Sequence, residues 1–361
     1  MHQPLMADPT QMLCSVVILN WNGANVMRQF LPSVLEHTTL PETEVVVVDN
    51  GSTDDSMAYL QSLQDSAEAR AAHLRLIAFP ENYGFAAGYN RAIATMESEF
   101  VVLLNSDVMV TSGWLEPVLG YMQQHANVAA AQPKVLAYKS LLAHQQDASQ
   151  PVTFEHAGAA GGYIDKLGYP FCRGRLMSYV APDQGQYDSI AKVFWVSGAA
   201  FFIRTKLYNE LGGLDDKFFA HMEEIDLCWR LNCRGYELAC VPQSKVYHLG
   251  GGALAYDNPR KTYLNFRNNL LMIYKNLPQP QLCKVMFWRF VLDYVAAIQA
   301  LITFKPRHFA AIIRARIDYL QMKRDFVQIR QRNLNLAKQS YPDMISQRSI
   351  IFDYFIRRRR E

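Results

Sequence analysis

Three carboxylates in the segment Leu214–Arg230 (LDDKFFAHMEEIDLCWR) are the strongest chemical signal in this chain. Glu223, Glu224 and Asp226 sit in a mostly apolar, aromatic-rich surround. Carboxylates are rarely buried unless something pairs with them, so acids clustered at a loop-to-helix junction point to a cleft that needs a base or a metal ligand. The simpler reading is a helix start carrying favourable negative charge, with Asp226 and Arg230 paired one turn apart. The segment alone does not decide between them.

Such residues need a scaffold, and the first hundred residues outline one. Short apolar runs rich in β-branched residues occur at Ser15–Asn20, Glu44–Asp49, Leu74–Phe79 and Phe100–Asn105. Helical composition fills Val26–His37, Ser56–Ala71 and Ala86–Met96 between them. Strands apolar on both faces and joined by helix-length connections predict a parallel sheet covered on both sides, an α/β nucleotide-binding architecture. In such sheets ligands bind beyond the carboxyl ends of the strands. Three of these strands end in polar signatures: Asn20-Trp21-Asn22-Gly23, Asp49-Asn50-Gly51-Ser52 and Asn105-Ser106-Asp107.

The glycines exclude two common phosphate cradles. NWNGAN follows the first strand, and Gly84 and Gly88 do not form G-x-G-x-x-G, which argues against a dinucleotide dehydrogenase. No glycine-rich run ends in Gly-Lys-Ser/Thr, so there is no P-loop. A divalent cation held by carboxylates is the usual substitute, because it neutralises a diphosphate directly.

Composition sets the outer frame. The chain has 361 residues, half of them hydrophobic, enough for one large domain with an appendage. Its six cysteines show no C-x-x-C spacing, which fits a reducing cytosol better than a disulfide framework or a zinc site. The N-terminus carries no basic region followed by a long apolar run, so no secretory signal is expected.

The net charge of +3 hides a division. Residues 1–280 hold 20 Lys and Arg against 27 Asp and Glu, a net −7, whereas residues 281–361 hold 16 against 6, a net +10. The boundary lies near Pro278–Pro280. A basic tail seeks an anionic partner, and a membrane surface and a nucleic acid are the two candidates. No nucleic-acid-binding module is recognisable in it. The run Val285–Phe304 approaches bilayer-spanning length, but Arg289 and Asp293 interrupt it one turn apart, so an interfacial or groove-packed helix is expected. Arg314, Arg316, Lys323, Arg324 and Arg357–Arg360 then read as contacts to anionic lipid. A solvated basic helical cap is the plainer alternative.

The motifs VVILNWNG, VVVVDNGSTDDS, ENYGFAAGYNRAI, VVLLNSDV, VSGAAFFIR and GGLDDKFFAHMEEIDLCWR, in that order, resemble the inverting glycosyltransferases of family 2 over residues 13–275. The rhamnosyltransferase-like branch, which builds bacterial surface polysaccharides, is the nearest match. The resemblance implies a GT-A fold over residues 13–278, after an N-terminal extension at 1–12, with a helical basic module at 279–361. It implies transfer of a sugar, rhamnose being one candidate, from a nucleotide-diphosphate sugar to an acceptor hydroxyl with inversion. A lipid-linked saccharide at the cytoplasmic face of the membrane is the acceptor it suggests.

Residue by residue, the resemblance places Asp49 on the imide N–H of a uracil or thymine ring, with Asn20 on the neighbouring strand end. Asn82 and Gly84 line the nucleoside, and Asn90 faces the donor from the following helix. Asn105-Ser106-Asp107 stands where the family has D-x-D. Its first position is an amide, able to bond a ribose hydroxyl, so the contact to magnesium or manganese falls to Asp107. His248 matches a histidine that completes the metal site, and Gly250, Gly251 and Gly252 after it suggest a mobile lid over the diphosphate. Glu223-Glu224 takes the place of a Glu-Asp or Asp-Asp pair whose second member is the general base, which favours Glu224; the longer side chain leaves Glu223 open. Trp195, Ser197 and Gly198, read as part of a strand, are placed at the floor of the sugar pocket. A nucleotide-sugar-binding protein without turnover and a sugar-nucleotide pyrophosphorylase are the competing classes. The latter should show a glycine-rich loop with a basic residue after the first strand, and NWNGAN lacks it.

Overall fold

The computed structural model describes residues 12–250, 258–339 and 341–359. Most of the N-terminal extension, Gly251 and Gly252 of the expected lid, and Arg360 therefore lie outside the described residues.

The four early strands form where the apolar runs predict them: β1 (Cys14–Asn20), β2 (Thr43–Asn50), β3 (Arg75–Phe79) and β4 (Phe100–Leu104). They lie parallel in the order β3-β2-β1-β4. Helices Ala24–His37 and Phe85–Ile93 match their predicted spans, whereas the Ser56–Ala71 segment splits into Ser56–Leu63 and Ala67–Ala71. Ser66 causes the split by capping the second piece, its Oγ accepting from Ala69 N at 3.0 Å.

The chain continues through β5 (Val108–Val110), β6 (Val128–Ala137) and a run of short strands: β7 (Gly162–Asp165), β8 (Pro170–Cys172), β9 (Arg175–Leu176), β10 (Tyr179–Val180) and β11 (Ala191–Lys192). Then follow β12 (Ala200–Arg204), β13 (Glu237–His248) and, near the end, β14 (Ile345–Ser346). The main sheet runs β11-β13-β6-β12-β4-β1-β2-β3, with β5 joined to the end of β13. Its centre is apolar on both faces: alternate valines of β2 feed two different buried clusters, Val46 and Val48 one, Val45 and Val47 the other. This mixed, mostly parallel sheet with flanking helices is the GT-A fold.

The C-terminal region is helical, with Gln279–Ile302, Pro306–Met322 and Val327–Asn335 as its main helices. It is stitched into the body more closely than a separate module would be. Strand β14 adds to β7 in a second sheet of order β10-β9-β8-β7-β14, and Lys338 N bonds Cys233 O at 2.8 Å. Arg289 and Asp293, the pair that interrupts the apolar run, are both buried. Arg289 donates to Asp293 at 3.3 Å, and Arg316 reaches the same carboxylate at 2.7 Å. The helix therefore turns its charges inward. Phe287, Trp288, Phe290, Val295, Ile298 and Ile302 stay on the outside.

Candidate active site

Parallel register brings the first two polar strand ends together. Asn20 pairs with Asp49 across β1 and β2, and Asn20 Nδ2 donates to Asp49 Oδ1 at 3.0 Å. Ser52 N donates to Asp49 Oδ2 at 3.0 Å, so both carboxylate oxygens are engaged and the side chain is fixed. Asn20 Oδ1 is buried without a partner, and a Cβ on Gly23 would lie 2.5 Å from it.

Asn82 and Gly84 form the adjoining loop. Asn50 Nδ2 bonds Asn82 Oδ1 at 3.0 Å and Gly84 O at 3.2 Å, while Gly84 N donates to Asn82 Oδ1 at 2.8 Å. Gly84 takes φ 81°, a conformation that costs glycine nothing. Asn90 has a different part from the donor contact expected of it. Its Nδ2 donates to Leu214 O and Asp216 Oδ1, and its Oδ1 accepts from Tyr208 and Leu214 N, so the whole amide braces the turn ahead of the acidic segment.

Asp107 and His248 meet because β5 pairs antiparallel with the end of β13, which sets His248 opposite Val108. His248 Nε2 lies 3.0 Å from Asp107 Oδ1 and 3.5 Å from Asn105 Nδ2. On the other side of the ring, Nδ1 lies 3.6 Å from Glu155 Oε2. Burial alone would lower the His248 pKa; contact with Asp107 and Glu155 outweighs it and raises the value to about 10. Burial works against the Glu155 charge too, yet contact with His248 holds its carboxyl below the usual range.

No group of three or more metal-ligating side chains occurs among the described residues. Asp107 and His248 could make a two-ligand set once a cation displaces the imidazole proton, since a histidine ligates only when neutral. That set suits a hard divalent cation taking its remaining positions from diphosphate and water, since magnesium is commonly held by one or two carboxylates plus substrate phosphates.

The acidic helix Glu223–Cys233 starts after a distorted loop. Phe219, His221 and Met222 all have positive φ, 67°, 70° and 75°, an uncommon set for side chains of this size. Asn268 holds the loop from outside, its Nδ2 lying 2.9, 2.8 and 2.8 Å from the carbonyls of Phe218, Ala220 and His221. Glu223 is buried, Glu224 partly so, and Oε2 of each is enclosed without a hydrogen-bond partner. Burial, then the neighbouring Glu224 charge, pushes the Glu223 pKa well up; burial also raises that of Glu224.

Gly198 faces Glu224, for a Cβ there would touch Glu224 Cγ at 3.7 Å. The next residue, Ala199, accepts from Asn105 N at 3.0 Å. The base candidate is thereby linked through two residues to the strand end bearing Asp107.

Trp195 and Ser197, expected at the floor of the sugar pocket, are buried and precede β12 rather than lying on it. The Trp195 indole packs flat against Gly162, where a Cβ would come within 2.0 Å, and its N–H donates to Tyr163 O at 2.8 Å. Ser197 is buried, its N–H bonded to Gln132 Oε1 at 2.8 Å and its Oγ to Ala157 O. Both are core positions.

Sequence reasoning passed over Glu155, His156, His221 and Lys261. Burial, then Arg175, lowers the His156 pKa to about 4; burial, then Lys261, lowers that of His221 to about 4. The available signal was Glu155-His156 running into the glycine-rich stretch Gly158–Gly162.

The sheet order and its flanking helices define a GT-A domain. Residues 15–180 match the glycosyl transferase family 2 description. The match takes in a little under half of the chain. It is 24% identical over 244 residues to the N-acetylglucosaminyl-diphospho-decaprenol L-rhamnosyltransferase of Mycobacterium tuberculosis H37Rv, a match covering 64% of this chain and 75% of the relative. It is 24% identical over 236 residues to the O-antigen biosynthesis protein RfbC of Myxococcus xanthus; that match covers 65% of this chain but only 17% of RfbC. Among solved structures, GalNAc-T7 with UDP, GalNAc and Mn2+ superposes with a TM-score of 0.56 at 15% identity, covering 89% of this chain and 57% of that one.

Proposed function

We propose that this protein transfers a sugar from a nucleotide-diphosphate sugar to a hydroxyl of a lipid-linked saccharide, with inversion, in cell-surface polysaccharide synthesis. The observation that carries the reading is Glu224 Oε2, enclosed without a hydrogen-bond partner, on a side chain packed on Gly198 and linked through Ala199 to Asn105 and Asp107. The acceptor oxygen bonds the anomeric carbon as the bond to the diphosphate breaks, and Glu224 takes the hydroxyl proton. A raised carboxyl pKa brings that base nearer to working pH. Asp49 and Asn20 hold the base and ribose end of the donor. Asp107 and His248 would hold magnesium or manganese, which supplies charge neutralisation to the diphosphate leaving group. The rhamnosyltransferase relative favours rhamnose as the sugar.

The site of action is the inner face of the cell membrane. The outward face of the Gln279–Ile302 helix, with Phe287, Phe290, Ile298 and Ile302 more than half exposed, supports that placement, as does the net charge of +10 over residues 281–361. Because β14 belongs to the body, the test uses substitutions rather than truncation. Phe290→Ser with Ile302→Ser should reduce co-sedimentation with anionic vesicles, and unchanged co-sedimentation would refute the placement.

A panel of nucleotide sugars tested for thermal stabilisation, with magnesium, with manganese and with EDTA, tests the donor and metal assignments. Asp107→Asn and His248→Ala should each weaken metal-dependent nucleotide binding by tenfold or more. Full affinity for both variants in EDTA would remove the metal.

A further inference from the structure

Between the small sheet and the C-terminal segment lies a cavity of about 180 Å³, walled by Tyr163, Phe171, Arg173, Arg175, Tyr187 and Arg348 among others. Its arginines are held but not satisfied. Arg173 Nε donates to Ala160 O at 2.8 Å and its guanidinium sits 5.1 Å over the Tyr187 ring, while Arg175 Nη1 reaches Met177 O at 3.3 Å. That leaves Arg173 Nη2 and Arg175 Nε buried with no hydrogen-bond partner. Buried donors are seldom left unpaired in folded proteins. The one acid on the wall, Asp353, is already bonded to Arg357 at 3.1 Å.

Three guanidinium groups around one space, with donors unspent, call for an anion rich in acceptor oxygens. Arginine forks fit phosphate bidentately, and a diphosphate offers two such groups. The cavity is not where the donor diphosphate goes, since that end of the site lies at the strand ends carrying Asp49 and Asp107. The two regions share a wall, however. Glu155 touches His248, and Ala160 and Gly161 bond the Arg173 backbone at 3.1 and 3.0 Å. The outer wall leads to Phe352, Phe355 and Ile356, apolar side chains that stay exposed.

We propose that this cavity binds the diphosphate of the lipid-linked acceptor, with the lipid leaving along the Phe352–Ile356 surface; the proposal rests on the transferase reading above. The acceptor saccharide then extends from the arginines across the Glu155–Gly162 segment toward Glu224.

Calorimetry with farnesyl diphosphate as the probe, in EDTA, tests it on the full chain. The wild type should bind, and Arg173→Gln and Arg348→Glu should each weaken binding at least tenfold while metal-dependent UDP affinity is retained. Arg348 is exposed, so its variant decides the matter if Arg173→Gln fails to fold. Inorganic pyrophosphate should bind more weakly than the prenyl diphosphate if the lipid surface contributes; equal affinity would mark a free-phosphate site and overturn the acceptor assignment. Absence of binding, unchanged affinity in the variants, or competitive displacement by UDP would also overturn it. Arginine-dependent farnesyl diphosphate binding in a protein that transfers no sugar would count against the transferase reading and leave the diphosphate site standing.

Discussion

Two ends of one helical turn treat their carboxylates in opposite ways. Asp226 is buried and saturated: Arg230 Nε lies at 3.0 Å, Lys275 Nζ at 2.8 Å and Asn276 Nδ2 at 2.8 Å. Burial disfavours its charge, but Lys275, Arg230 and Asn276 outweigh that and lower the pKa. Three and two residues earlier, Glu223 and Glu224 each keep an oxygen enclosed with no partner, and both pKa values are raised. A fold able to bring three partners to one acid has brought none to those two oxygens. The contrast separates a carboxylate that holds the structure from a pair available for proton transfer.

Breaking the saturated side should have the largest effect. Asp226→Asn removes the one carboxylate that Arg230 and Lys275 share, leaving Arg230 the carbonyls of Leu211 and Gly213 and Lys275 only Asp215, and breaking such a buried network typically costs about 3–5 kcal/mol. Chemical denaturation should show that loss at neutral pH. Because the folded pKa of Asp226 is lowered, the wild-type advantage is present above the ordinary aspartate range and declines as pH falls through the folded value. A variant as stable as wild type would erase the contrast.

The opposite sign is expected at Glu223. Unfolded, it ionises in the ordinary glutamate range; folded, it keeps its proton to higher pH, so stability falls as pH rises through that window. Glu223→Gln removes the penalty and should be more stable than wild type at neutral pH, by about 1 kcal/mol in the usual range for such gains. Equal or lower stability would mean that Glu223 has a partner in solution.

A smaller effect is expected at the brace. Asn268→Asp keeps the size of the side chain but loses the donors that hold the 218–221 carbonyls, so kcat should fall several-fold with donor KM unchanged. An unaltered kcat would show that the distorted loop holds itself.

Much of this was legible beforehand. The four early strands, their polar ends and the acidic helix start all follow from local runs of residues, because apolar period and strand length are local properties. The Asp226–Arg230 pair follows from spacing along a helix. Contacts made by distant segments were not legible. Asn90 is spent on residues 124 and 126 positions away, Trp195 packs flat on Gly162, and Glu155 reaches His248 across the sheet. Arg316, read from the sequence as a lipid contact, is instead spent on buried Asp293 for a related reason. The tail's interrupted apolar run is a helix that buries Arg289 and Asp293 and exposes aromatics, an inside-out pattern that depends on Asn269 and Arg316 as partners.

The central claim, that Glu224 is the base, is tested most directly by the pH dependence of sugar transfer at saturating donor, in wild type and Glu224→Gln side by side. The wild type should lose rate on the acid side of its profile at a pH above the ordinary glutamate range, as its raised pKa requires. Glu224→Gln should lose about 10²–10⁴ in kcat together with that acid limb, and keep its donor KM. A variant that transfers at the wild-type rate with the same profile would show that the enclosed carboxylate is structural, and the base would lie elsewhere.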